Sequence, residues 1–186
     1  MRKRELFQEE KTGKLRNVSR FPKTLYPQER DWTCSIACIR TMLSGMPERS
    51  VSEDGYIEKY ALTPSAYYSR QIKALGMLDG LDALFGCDSA GPANLGDMTR
   101  LMESGYFVMI ESLVNGAHWM VLLGYAVCGG AEQLDCHSAI FFDPYYNKVR
   151  IINAEEFSSE WACSDKERSG VERDFIAVRA GDPGAK

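Results

Sequence analysis

Histidine is scarce in this chain, with only His118 and His137, and no apolar run approaches the ~18 residues a membrane helix needs. Basic blocks are missing as well. Against 26 acidic residues stand 22 basic ones, a net charge of −4, with no aromatic RNA-reading motif and no Lys/Arg stripe to follow a phosphate backbone. Nucleic acid is therefore not an expected partner. The N-terminus, Met1-Arg-Lys-Arg-Glu-Leu-Phe-Gln-Glu-Glu-Lys11, starts basic like a signal peptide but lacks the apolar stretch that would follow. The expectation is a soluble, cytoplasmic protein without membrane insertion. No glycine-rich phosphate loop and no paired metal-binding carboxylates stand at recognisable spacing, so no cofactor is expected. Cys128, Cys136 and His137 lack zinc-finger spacing, which argues against a metal. Repeats and low-complexity tracts are absent too.

What is present suffices for a core: 45% of the 186 residues are apolar and 11% aromatic. Residues 1–20 read as a charged arm, 21–180 as one domain and 181–186 as a flexible tail. Six cysteines (34, 38, 87, 128, 136 and 163) are spread over a chain large enough to do without staples. Reduced thiols are the expectation, with a Cys128–Cys136 pairing left open.

Ile36, Ala37, Ile39, Met42 and Leu43 recur at helical spacing from Cys34, and Gly45 follows as a stop. Val51–Tyr60, Ser65–Leu75 and Leu78–Phe85, aromatic and punctuated by glycine, read as short helices and loops. Asn94 is an N-cap three residues before Asp97, and Leu95, Met98, Leu101 and Met102 form a stripe ended by Gly105. After that the period changes. Tyr106–Ser112, His118–Tyr125, Ala139–Asp143, Lys148–Ile152 and Arg173–Arg179 are short, β-branched or aromatic segments, interrupted by a helix over Ala154–Trp161. Helices first and a sheet later give an α+β fold, its helical N-terminal part packed on an antiparallel sheet.

One arrangement carries chemistry. Cysteine catalysis needs a thiolate, a base that can return a proton, a group that orients the base, and donors for the oxyanion. Cys34 falls in the first turn of a helix, a setting that favours a thiolate when an imidazolium stands beside it. Cys38, one turn on, reads as a buried core cysteine. Of the histidines, His118 opens the most apolar strand, whereas His137, in the polar stretch Leu134–Ser138, reads as surface. Asp143 ends the next strand before Pro144, which holds it extended. A symmetric hairpin turning at Cys128-Gly-Gly-Ala131 would set His118 opposite Asp143. Gln28, six residues before Cys34, could donate its amide to an oxyanion, with the Cys34 N–H as second donor. Each residue also has a plain structural reading: a core cysteine, a satisfied histidine, a turn aspartate, a solvated glutamine. The joint pattern favours catalysis.

At these residues the chain resembles the papain-like fold and, within it, the C39-type cysteine peptidases, known as leader-cleaving domains of peptide exporters. Their pattern has a glutamine six before a cysteine in an Asp-Cys-Gly-x-Ala-Cys context, a histidine opening an apolar strand, and Asp-Pro closing the next. Here the matching stretches are Gln28, Thr33-Cys-Ser-Ile-Ala-Cys38, His118-Trp-Met-Val-Leu-Leu-Gly-Tyr125 and Phe142-Asp-Pro144. The resemblance implies a thiol hydrolase acting on a peptide or protein substrate through Cys34, His118, Asp143 and Gln28, with cleavage after small residues such as glycine. Two positions depart from it, Thr33 for the usual Asp and Ser35 for the usual Gly. No transporter segments follow the domain in this sequence, so the expectation is a stand-alone enzyme. A second resemblance, to the plant and animal guanylyl cyclase domain family, rests on Trp32–Cys38 and on Gly170-Val-Glu-Arg-Asp-Phe-Ile-Ala-Val178. It implies a nucleotide function as an alternative, beside a catalytically silent binding module of the same fold.

Overall fold

Central strands too apolar to leave either face in water dictate the architecture. The computed structural model describes residues 14–16, 22–46, 51–88, 94–112, 117–128, 135–162 and 173–180. In chain order these form β1 (Lys14–Arg16), α1 (Cys34–Leu43), α2 (Glu53–Tyr60), α3 (Ser69–Ala74), β2 (Asp82–Phe85), α4 (Leu95–Glu103), β3 (Phe107–Ser112), β4 (His118–Cys128), β5 (Asp135–Asp143), β6 (Lys148–Asn153), α5 (Ala154–Ala162) and β7 (Phe175–Arg179). The described strands make one antiparallel sheet in the order β2-β7-β3-β4-β5-β6, with β1 pairing the far half of β4 beyond the end of β3. Every residue of β3 is buried, as expected where helices cover both faces of a sheet.

Two cores result. On one face Ile36, Ile39, Met42 and Leu43 of α1 pack with Met109, Trp119, Val121, Leu123, Ile140, Phe142 and Ile176. On the other, Met98 and Met102 of α4 and Phe157 and Trp161 of α5 pack with Val108, Ile110, Met120, Leu122, Phe141 and Ala177. Burying such side chains contributes about 1.5–3 kcal/mol each, so the sheet fixes α1 firmly. Gly45 lets the end of α1 approach β3: a Cβ there would lie 2.3 Å from the Phe107 ring. The extended segment before α1 is tied along the helix, with Thr24 N–H donating to Ser44 Oγ and Tyr26 N–H to Thr41 Oγ1, both at 3.0 Å.

The α+β expectation matches this arrangement, and Asn94 caps α4 by accepting from Asp97 N–H at 3.0 Å. Several local expectations do not match. Leu78–Phe85 is a turn followed by the edge strand β2, because Gly76 (φ +64°) and Gly80 (φ +77°) take left-handed turns that end helical geometry. Asp82 is then claimed by Arg179 Nε at 2.7 Å and Tyr106 OH at 2.9 Å. The helix read over 65–75 shortens to Ser69–Ala74. Residues 14–16, read as part of an arm, pair with β4. Strands β4 and β5 outrun the expected hairpin, so His137 stands within β5 and not in a loop, while the Gly129-Gly130 turn lies outside the described residues. In the ladder Cys128 stands opposite Asp135 and Cys136 opposite Val127, while the thiol pairing left open for these two cysteines rests on side chains outside the described residues. Among the described residues no helix is long and apolar enough to cross a membrane.

Candidate active site

Cys34 is the first residue of α1 and 7% exposed. No side chain caps this helix terminus, because the residue placed to do so is occupied elsewhere. Thr33 Oγ1 donates to the Arg30 carbonyl at 2.8 Å and accepts from Arg30 N–H at 3.1 Å, while Thr33 N–H donates to the same carbonyl at 3.1 Å. A hydroxyl thus closes the turn where the family pattern has a carboxylate. The N–H groups of the first turn are left without a side-chain cap at the positive end of the helix dipole, an arrangement suited to a developing anion. Ser35 is 1% exposed, so its side chain lies in the interior, and its hydroxyl has no partner among the described residues. Cys38 is fully buried, and that burial, then the charges of Cys34 and Asp143, pushes its thiol well above the ordinary range.

His118 opens β4 and Asp143 closes β5, and their side chains meet: His118 Nε2 lies 2.8 Å from Asp143 Oδ1. The register differs from a symmetric hairpin. Val121 faces Phe142 and Leu122 faces Phe141, so Asp143 stands opposite Met120 and reaches His118 diagonally. A two-residue shift keeps both on the same side of the pleat, where a one-residue shift would have parted them. Asp143 Oδ1 also accepts from the backbone N–H groups of Tyr145 (3.0 Å) and Tyr146 (3.3 Å), so the carboxylate is held as well as holding. Burial opposes its charge, but the His118 contact and these two donors hold its pKa below the ordinary carboxylate value. Burial likewise opposes charge on His118. Its hydrogen bonds to Asp143 and Cys34, and the charges of both, outweigh that and raise its pKa from 6.5 to about 9. The raised pKa favours the charged ring at neutral pH, with Nε2 engaged by Asp143. Tyr145 packs edge-on against it, ring centres 6.2 Å apart, and stays 53% exposed.

Gln28 lies in the same neighbourhood, its backbone N–H donating to the Pro144 carbonyl at 3.1 Å. Its side-chain Nε2 donates to the Arg30 carbonyl at 2.9 Å. One amide hydrogen is therefore spent on orientation and the other remains. The Arg30 carbonyl that orients Gln28 is the one that Thr33 holds. Motif reading could not single out the buried Glu53 of α2 that binds this loop, since it acts on Glu29 and Arg30 through contacts more than 20 residues apart in sequence. Among the described residues no group of three or more His, Cys, Asp or Glu could hold a metal ion.

No family model and no curated protein matches the sequence. Solved structures do. The peptidase domain of Streptococcus ComA, a bifunctional ABC transporter involved in quorum sensing, aligns at 17% identity with a TM-score of 0.56, covering 84% of this chain and 98% of that one. A double-glycine-motif protease from an AMS/PCAT transporter, solved with its leader peptide, aligns at 15% identity with a TM-score of 0.52, covering 87% and 96%. The chain has the papain-like fold of these C39-type peptidase domains. The matches give no support to the second resemblance, to the guanylyl cyclase domain family.

Proposed function

We propose that this protein, built on the fold of double-glycine peptidase domains, is a cysteine peptidase or related thiol hydrolase. The observation that carries the reading is the 2.8 Å bond between Asp143 and His118, beside a Cys34 near enough to help raise the His118 pKa. The Cys34 thiolate attacks a carbonyl carbon, and the imidazolium of His118 returns its proton to the leaving amine. Water then hydrolyses the thioester, with His118 as the base. Such acid–base help is typically worth 10²–10⁴-fold. Asp143 keeps the ring oriented and charged. The free amide hydrogen of Gln28 and the backbone N–H of Cys34 at the uncapped helix terminus receive the oxyanion, and losing one such donor costs about 2.7–4 kcal/mol of barrier.

The substrate is a peptide or protein segment; the resemblance to C39-type peptidases, together with a fold relative described as a double-glycine-motif protease, supports cleavage after small residues such as glycine. Thr33 and Ser35, which depart from the family pattern, are both buried, and the Thr33 hydroxyl is engaged by the Arg30 backbone. Wild type and Cys34→Ala, incubated with a peptide pool containing Gly-Gly and control sequences, are compared by intact mass. Cleavage by wild type alone is expected, and equal cleavage or none by both contradicts the reading.

A further inference from the structure

The proposed oxyanion donor sits on a loop with little burial of its own, so something else must hold it. Ser52 accepts from Gly55 N–H at 3.0 Å and starts α2, which points the next residue, Glu53, back at the loop. That side chain is completely buried. Its Oε2 accepts from Glu29 N–H at 3.1 Å, and its Oε1 lies 3.4 Å from Arg30 Nη1. Arg40 of α1 closes the set: its Nη1 is 2.8 Å from Glu29 Oε1 and 3.8 Å from Glu53 Oε2, its Nε donates to the Val51 carbonyl at 3.1 Å, and its guanidinium covers the Tyr26 ring at 4.3 Å.

Glu29 and Arg30 directly follow Gln28, and the Arg30 carbonyl orients the Gln28 amide at 2.9 Å. A buried carboxylate is costly unless it is paired. This one is paired almost wholly with the loop that carries the donor. We infer that Glu53 is a positioning residue, latching the 28–30 loop so that the Gln28 amide is fixed relative to Cys34. The inference rests on the catalytic reading, since it assigns Glu53 a role only through the oxyanion.

Two reactions of Cys34 separate this role from a merely structural one. Hydrolysis of N-acetylglycine p-nitrophenyl ester passes through an oxyanion, whereas alkylation by iodoacetamide displaces iodide and forms none. In Glu53→Gln and Glu53→Asp, kcat for the ester is expected to fall about 10–100-fold with KM within about twofold. The rate of iodoacetamide alkylation at Cys34 is expected to stay within about twofold of wild type. In a Gln28→Ala background the same Glu53 substitutions should cost little further, because the donor they position is gone. Glu53→Asp keeps the buried charge beside both arginines and serves if Glu53→Gln does not fold. Equal losses in hydrolysis and alkylation, or an undiminished Glu53 effect in Gln28→Ala, would overturn the latch. A wild type that hydrolyses the ester no faster than Cys34→Ala overturns the catalytic reading itself, a result distinct from a latch that fails in an active enzyme.

Discussion

Gln28 and Pro144, 116 positions apart in the chain, are joined by one backbone hydrogen bond of 3.1 Å from the glutamine N–H to the proline carbonyl. It ties the segment leading into α1 to the turn that carries Asp143. The proposed nucleophile's loop and the acid that orients its base are thereby held as one piece, even though one belongs to a helix and the other to a sheet.

Removing Asp143's charge should move the pH dependence in a set direction. Asp143 is a principal support of the raised His118 pKa of about 9, so Asp143→Asn brings the alkaline limb of kcat/KM to lower pH and reduces its maximum. A pH profile of ester or peptide hydrolysis reads this. An alkaline limb at the same pH in both proteins would mean that His118 is not the titrating group.

The same group links stability to pH. His118 has a folded pKa of about 9 against an ordinary 6.5, so its contribution is complete below about pH 6.5 and is lost as pH rises through 9. The displacement corresponds to on the order of 3 kcal/mol, at about 1.4 kcal/mol per unit. Urea unfolding of wild type and His118→Gln, run across this window, should show the stability gap closing toward pH 9.

Thr33 should act through the Arg30 carbonyl. Thr33→Val keeps the shape but loses both hydroxyl bonds of the turn, and kcat is expected to fall several-fold while Thr33→Ser retains most of it. Side-by-side kinetics of the two variants decide this. Parallel losses would point to packing of the methyl group instead.

Gly45→Ala tests the seat of α1 on the sheet. The added methyl would meet Phe107 at 2.3 Å, and overpacking of this kind typically costs about 1–3 kcal/mol. A lowered urea midpoint at unchanged slope is the expected signature.

The sequence made the regular elements legible where one period dominates. The apolar spacing from Ile36 to Leu43 marks α1, and the Asn94/Asp97 pair marks the start of α4. It misled at Leu78–Phe85, where helix-like spacing competes with two left-handed glycines and with pairing to β7. The positions Gln28, Cys34, His118 and Asp143 were nameable because spacing and strand ends are local features. Their register was two residues off, since it depends on where the hairpin turns and on a bulge between Leu122 and Gly124. The Glu53–Arg30–Arg40 set could not be read at all. Charged residues on a surface segment and on a helix start look alike whether solvated or buried, until the fold brings them together.

Treatment with a limiting amount of iodoacetamide at pH 7, followed by peptide mass mapping and a peptide-cleavage assay on the same sample, tests the central claim most directly. The account predicts that activity disappears in step with modification of Cys34, while the buried Cys38 stays unmodified and any labelling of the half-exposed Cys87 leaves activity intact. Full peptide cleavage by protein whose Cys34 is completely alkylated would contradict it.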